Sequence, residues 1–180
     1  SIKYSEDDIL ATERGDDPYN HSYLNWANEV YKPTYITQHT LNLTGGSEIG
    51  RYLVSFDYLD QPGLVKNTEY QRYSYRVNTD LNIGKMLKVS SDVTYRHVDR
   101  LWPESLGSVQ YDVWSMQPTS PVRYENGDYR LDKQNRNAIS LMDLDVVGED
   151  RYNMDVVYGQ VKADFEPIKD LVFTGMASLN

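Results

Sequence analysis

Two long alternating runs dominate the chain between Gln71 and His97, joined at Asn82-Ile83-Gly84-Lys85-Met86. Every second residue from Tyr73 gives Tyr73, Tyr75, Val77, Thr79, Leu81 and Ile83; between them lie Arg72, Ser74, Arg76, Asn78, Asp80 and Asn82. One face is aromatic and apolar, the other wholly polar. The return run alternates Leu87, Val89, Ser91, Val93, Tyr95 and His97 with Lys88, Ser90, Asp92, Thr94 and Arg96. Period two sustained over about a dozen residues predicts extended strands with two unlike faces.

The same alternation predicts six strands in all, at about 35–44, 50–60, 70–83, 86–98, 152–166 and 169–180. Gly45-Gly46-Ser47 reads as a tight turn between the first two, since glycine supplies the positive φ that short hairpins need. The connections then run short, long, short, very long, short. That order is expected of an antiparallel meander with tight turns at one end and elaborate loops at the other. Ahead of the strands, Ser5-Glu6-Asp7-Asp8 has capping-box spacing before Ile9 and Leu10, Arg14 to Pro18 is a turn, and a second short helix is predicted over Leu24 to Tyr31, ended by Pro33. In the long connection of 99–151, Leu106, Val109, Val113 and Met116 recur at helical spacing, and Asn126-Gly127 marks a small hairpin or turn.

Composition narrows the setting of these strands. Apolar residues make up only 39% of the chain, yet there are 16 tyrosines against 3 Trp and 3 Phe. Tyrosine joins an apolar ring to a wet tip, which suits a bilayer interface or a sugar-binding surface. The net charge of −9 argues against nucleic acid, which requires clustered Lys and Arg. No cysteine is present, so neither a disulfide framework nor a thiolate metal site is in play. No apolar run has the length of a membrane helix, which leaves a β-barrel open because its lipid face uses only alternate residues.

One resemblance gathers these features. His39-Thr40-Leu41-Asn42-Leu43-Thr44-Gly45-Gly46-Ser47-Glu48, then Tyr52-Leu53-Val54-Ser55-Phe56-Asp57-Tyr58-Leu59-Asp60-Gln61-Pro62-Gly63-Leu64-Val65 and Tyr70-Gln71-Arg72-Tyr73, closely resemble the barrel of the SusC/RagA family of TonB-linked outer-membrane transporters from Bacteroidetes. Asn25 to Val30, Met86 to Val89, Ser120-Pro121 and Asn126 to Tyr129 agree with it in order. The resemblance implies an all-β fold: an antiparallel transmembrane β-barrel segment of about six strands, within a plugged barrel of about 22. It divides the chain into an extracellular loop with short helices at 1–34 and the barrel segment at 35–180, with a large extracellular loop at 99–151. It implies active import of a glycan or peptide in the outer membrane. The implied partners are a SusD-like surface lipoprotein, outer-membrane lipid, and TonB acting through a plug segment that lies outside these residues. The alternative from periodicity alone is a soluble, secreted, lectin-like glycan-binding module that buries the same apolar faces against a second sheet.

Candidate chemistry is sparse. Asp57, Arg72, Arg76, Asp80, Lys88, Asp92 and Arg96 are expected to face the barrel lumen, as a cross-strand charge ladder or as a route for solute. Trp102, Tyr111, Trp114, Tyr124 and Tyr129 are the candidate ligand contacts, since flat amphipathic rings suit sugar or peptide; packing within the loop or against a lid lipoprotein is the plainer alternative. Asp143, Asp145, Glu149, Asp150 and Asp155 read as a solvated acidic stretch rather than a calcium site, because EF-hand spacing is missing. His21, His39 and His97 are far apart in sequence, and His39 and His97 fall on the lipid-side phase near strand ends. No catalytic constellation, phosphate loop or metal-ligand spacing is found, so neither an enzyme nor a cofactor is expected.

Overall fold

Alternating side chains and tight glycine turns here produce one antiparallel sheet. The structure, a computed structural model, describes residues 4–180, and its six strands pair in chain order: β1 Thr37–Gly46, β2 Gly50–Asp60, β3 Glu69–Ile83, β4 Leu87–Pro103, β5 Glu149–Ile168 and β6 Leu171–Leu179. Every strand pairs with its sequence neighbour, so the sheet is a simple meander. Gly84, at φ 65°, opens the turn between β3 and β4. Asp170, at φ 67°, does the same before β6. Both sit in the left-handed region that glycine and Asp/Asn tolerate best.

Register carries the apolar pattern across the strands. Leu41 faces Phe56 and Leu43 faces Val54 between β1 and β2; Phe56 faces Tyr75 and Val54 faces Val77 between β2 and β3. Between β5 and β6, Val161 faces Ala177 and Phe165 faces Phe173, with a β-bulge between Phe165 and Ile168. Leu41, Leu43, Val54, Val77, Val93, Val157 and Val161 all remain exposed. A lectin-like sandwich needs a second sheet over such a face. The described residues form one sheet only.

Aromatic rings cross this face in two rows. His39, Tyr58, Tyr73 and His97 follow one another with ring centroids 6.4, 4.9 and 6.2 Å apart. Phe56, Tyr75 and Tyr95 make the next row, at 5.0 and 6.1 Å. Both rows end on Asp155 of β5, which accepts the Tyr95 hydroxyl at 2.6 Å and lies 2.8 Å from His97 Nδ1. Beyond them toward the tight turns the face becomes aliphatic, through Leu43, Val54, Val77 and Val93.

Several strand limits differ from the pattern-based ones. β1 starts at Thr37 rather than 35, β4 continues to Pro103 and β5 begins at Glu149, so the irregular connection shrinks to 104–148. Strand pairing is a backbone property and persists after side chains stop alternating. The Glu104 N–H still reaches the Gly148 carbonyl at 3.4 Å.

A second compact unit is built from three separate stretches: the described residues up to Thr34, Gly63–Thr68 and Leu101–Asp150. Its helices are α1 Glu6–Arg14, α2 Trp26–Val30, α3 Leu106–Ser115 and α4 Leu144–Val147, with a 3-10 turn at Ser140–Met142. Ser5 and Asp8 close a capping box on α1, and Gly15 ends it at φ 66°. The Asn25 side chain caps α2 through the Ala27 and Asn28 N–H groups. On α3, Val109, Asp112 and Val113 are buried, as i, i+3, i+4 spacing requires. The core is Trp26, Val30, Val109, Val113, Met116, Ala138 and Met142. Trp26 also donates its indole N–H to the Gln117 carbonyl at 3.0 Å, tying the first stretch to the third.

Buried Asn137, 1% exposed, holds the coil of the third stretch together. Its amide nitrogen donates to the carbonyls of Val122 and Arg130 at 2.7 and 3.0 Å, and its oxygen accepts the Ile139 and Ser140 N–H groups at 3.1 and 3.2 Å. Next to it, Arg136 grips Asp132 through Nε and Nη2 at 3.0 and 2.7 Å. Burial pushes the Asp132 carboxyl up, but the hydrogen bonds from Arg136 and Gln134 outweigh this and hold it below the usual range.

Two outcomes follow for the whole protein. Asn137→Ala strands several buried backbone groups, at about 1–3 kcal/mol each. Hydrogen exchange of the segment around Val122, Arg130 and Ser140 should speed up at least tenfold while β1–β6 stay unchanged; exchange equal to the parent's would remove this role from Asn137. A carboxyl depressed by folding stabilises above its unfolded pKa, about 3.9, and loses that contribution as pH falls through the folded value. Protection in this unit should therefore hold from pH 8 to about pH 4 and fall below it, with Asp132→Asn reducing the acid-linked part; a loss already complete at pH 6 would contradict the assignment.

Candidate functional site

The polar face of the sheet is cross-linked by its own charges. Arg72 reaches Asp57 at 2.9 Å, Lys88 lies 3.4 Å from Asp80 and Arg76 3.8 Å from Asp92. Gln38 and Thr40 of β1 also donate to Asp57, at 2.8 and 2.9 Å, and Ser90 donates to Asp80 at 2.6 Å. On the last pair, Lys162 and Thr174 hold Asp164 at 2.8 and 2.7 Å. Of the seven residues singled out by pattern, six are thus paired. Arg96 has no ion-pair partner among the described residues. The geometry is that of a charge ladder, with opposite signs on neighbouring strands.

This polar face also has depth. A cavity of about 360 Å³ opens on it between Arg51, Asn78, Asp80, Asp92, Gln160 and Lys162. The Asn78 side-chain oxygen is buried there without a hydrogen-bond partner.

The loop aromatics separate into groups. Tyr111 and Trp114, three residues apart on α3, stand on its outer side, 69% and 74% exposed. Helical spacing in this segment buries Val109 and Val113 and leaves these two rings outward. Tyr124 and Tyr129 belong to a small turn around Asn126-Gly127, where the Tyr124 N–H bonds the Asp128 carbonyl at 2.8 Å. Arg123 lies 3.8 Å from the Tyr129 ring centroid and Arg130 lies 5.5 Å from that of Tyr124, both as cation–π contacts. Tyr129 also donates to Asp143 at 2.6 Å. Burial and then that bond raise the Tyr129 phenol, and the same bond leads in holding Asp143 low. Trp102 lies on β4, 38% exposed.

The five acidic residues do not converge. Asp143 is occupied by Tyr129 and by the Asp145 N–H, Glu149 and Asp150 begin β5, and Asp155 carries the aromatic rows further along that strand. Among the described residues no group of three or more His, Asp or Glu is placed to hold a metal ion. His39 and His97 lie in the aromatic row of the sheet. His21 instead spans two carboxylates, with Nδ1 3.2 Å from Asp17 and Nε2 3.3 Å from Asp8, and so fastens α1 to the turn that follows it.

Pattern reading missed Asn137, the Asp132–Arg136 grip and a cavity of about 490 Å³ beside them. The available signal was weak: an Asp and an Arg four apart in a segment without helical period.

No family model matches the chain. TonB-dependent receptor P26 of Formosa agariphila is 30% identical over 114 residues, which is 63% of this chain and 11% of that protein. TonB-dependent receptor P3 of the same organism is 30% identical over 99 residues, 52% of this chain and 10% of that protein. Among solved structures, the RagAB peptide importer in its closed-closed state superposes with a TM-score of 0.69 at 23% identity, covering 88% of this chain and 19% of that one. The structure of the RagAB peptide transporter gives 0.67 at 21%, covering 99% and 23%. The chain spans about a tenth of the curated relatives it matches. The sheet order and the two unlike faces agree with these relatives: the chain is similar over part of its length to TonB-dependent receptors, and its fold is that of a segment of the RagA-type barrel.

Proposed function

We propose that the protein to which this segment belongs imports a nutrient, a glycan or a peptide, across a bacterial outer membrane. The observation that carries the reading is the exposed apolar face of a single meander, aliphatic toward the tight turns and crossed by aromatic rows toward the long connections. A lipid-facing barrel wall has this composition: an apolar band bordered by interfacial rings. The paired charges then line a wet interior. Connections 61–68 and 104–148 lie on the extracellular side, and the turns at 47–49, 84–86 and 169–170 at the periplasmic rim.

Within this reading the whole barrel holds a plug, draws energy through TonB and works beneath a SusD-like surface lipoprotein. The names of the relatives support the transport class, and the peptide importer among them favours neither substrate for this chain, since a likeness of that depth carries the fold. Tyr111 and Trp114, as exposed rings on one helix, are the first candidates for contact with ligand or lipoprotein.

Fractionation gives the direct test. The intact protein should be recovered in the outer membrane; recovery in the soluble periplasm or the medium would sink the reading. Val77→Arg should lower folded stability in bilayers by about 2–4 kcal/mol, whereas Gln160→Arg on the polar face should stay within about 1 kcal/mol. Equal effects in a urea titration would mean that the two faces meet the same solvent. A deletion strain should lose growth on one defined glycan or peptide source and keep it on monomers; unchanged growth on every source would argue against import.

A further inference from the structure

The cavity of about 490 Å³ in the helical unit has no part in the reading above. Ser115, Gln117 and Thr119 lie on its wall from the end of α3, and Arg130 to Arg136 supply most of the rest. Its charge sets it apart. The chain has 18 Lys and Arg against 27 Asp and Glu, yet Arg130, Lys133 and Arg136 line this cavity with Asp132 as their only carboxylate.

That carboxylate is saturated. Asp132 Oδ1 accepts the Gln134 and Arg136 N–H groups at 2.8 and 2.9 Å, while Oδ2 accepts Arg136 Nε and Nη2 at 3.0 and 2.7 Å. Arg136 Nη2 also reaches the Ser115 carbonyl at 3.3 Å and Gln134 at 3.0 Å, which leaves Nη1 without a partner among the described residues. Arg130 donates through Nη1 to the Tyr19 carbonyl at 2.6 Å and lies over the Tyr124 ring, while its Nη2 has no hydrogen-bond partner among the described residues. Lys133 is exposed and has no ion pair among the described residues. One further carboxyl, Asp112, interacts with Arg136; burial pushes it up, and it lies outside the lining.

We propose that this cavity is a carboxylate-binding subsite, holding the anionic group of an acidic oligosaccharide or an acidic peptide. Unengaged guanidinium and ammonium donors on a net positive wall are suited to that chemistry. The volume falls in the range of small-ligand sites and fits about one sugar ring or one to two amino-acid residues. Only the source of the anion rests on the import reading; the charge of the cavity does not.

The test uses the whole transporter purified in detergent. The probes are trigalacturonate and N-acetyl-triglutamate, each against its neutral methyl ester, in calorimetry at 50 and 500 mM NaCl. At least one acid should bind more than tenfold tighter than its ester and weaken at high salt, and the acid that binds identifies the source. Lys133→Gln should weaken it about tenfold and Lys133→Arg should restore most of the loss. Arg130→Gln should weaken it as well, but Arg130 also holds the Tyr19 carbonyl, so the exposed Lys133 decides. Equal binding of acid and ester, binding of neither, or an unchanged Lys133→Gln would overturn the subsite. Uptake by cells separates the two readings. Import without preference for the acid overturns the subsite and leaves import standing; binding of the acid by a protein that imports nothing does the reverse.

Discussion

In the proposed setting the whole sheet answers to one constraint: a backbone placed against hydrocarbon has no water to bond, so each N–H and C=O must find another strand. The meander meets it with neighbour pairing throughout, and every other feature of the barrel wall is a consequence. Because pairing fixes register, side chains alternate without choice, and a sequence on this scaffold must alternate between two solvents. The paired charges of Arg72, Asp57, Lys88 and Asp80 belong to the same logic. On a wet face they bond each other across strands, which holds the polar side to one register while the apolar side contributes little directional information.

The helical unit answers to different physics. Its stretches are irregular, so their polar backbone groups are satisfied one at a time by side chains instead of by a ladder. Asn137 serves four such groups, Asn25 and Ser5 cap helices, and Trp26 adds an indole donor to an otherwise apolar core. The core itself is small, made of seven buried residues, and polar fastenings correspondingly carry more of the specificity.

The difference explains what the sequence disclosed. Strands such as β3 were legible because Tyr73 to Ile83 obeys a period that no helix or coil imitates over such a length. Capping at Ser5 and burial at Val109 and Val113 were legible for the same reason, as local rules with fixed spacing. The ends of β4 and β5 were not, since pairing there continues on backbone bonds after alternation has stopped. Single turns at Ser140–Met142 and Leu144–Val147 are too short to show a period. Least legible was the cavity between Ser115 and Arg136, because Arg130, Lys133 and Arg136 meet through coil geometry that leaves no repeat in the chain. Tyr111 and Trp114 lie between these cases. Their helix and its buried side were readable from the spacing of Val109 and Val113, but what the two outward rings meet was not.

The short stretch Gly63–Thr68 has a further consequence. Flanked by two long strands, it nonetheless belongs to the helical unit, where Val65 bridges Tyr31, the Leu64 carbonyl accepts the Lys32 N–H at 2.9 Å, and Asn67 donates to the Met142 carbonyl at 2.8 Å. It is therefore a shared wedge between the amino-terminal stretch and the long connection. Surface loops are usually the parts of a protein that vary independently. Here three of them pack into one unit, so a change of length in Gly63–Thr68 disturbs contacts with both of the stretches that it joins.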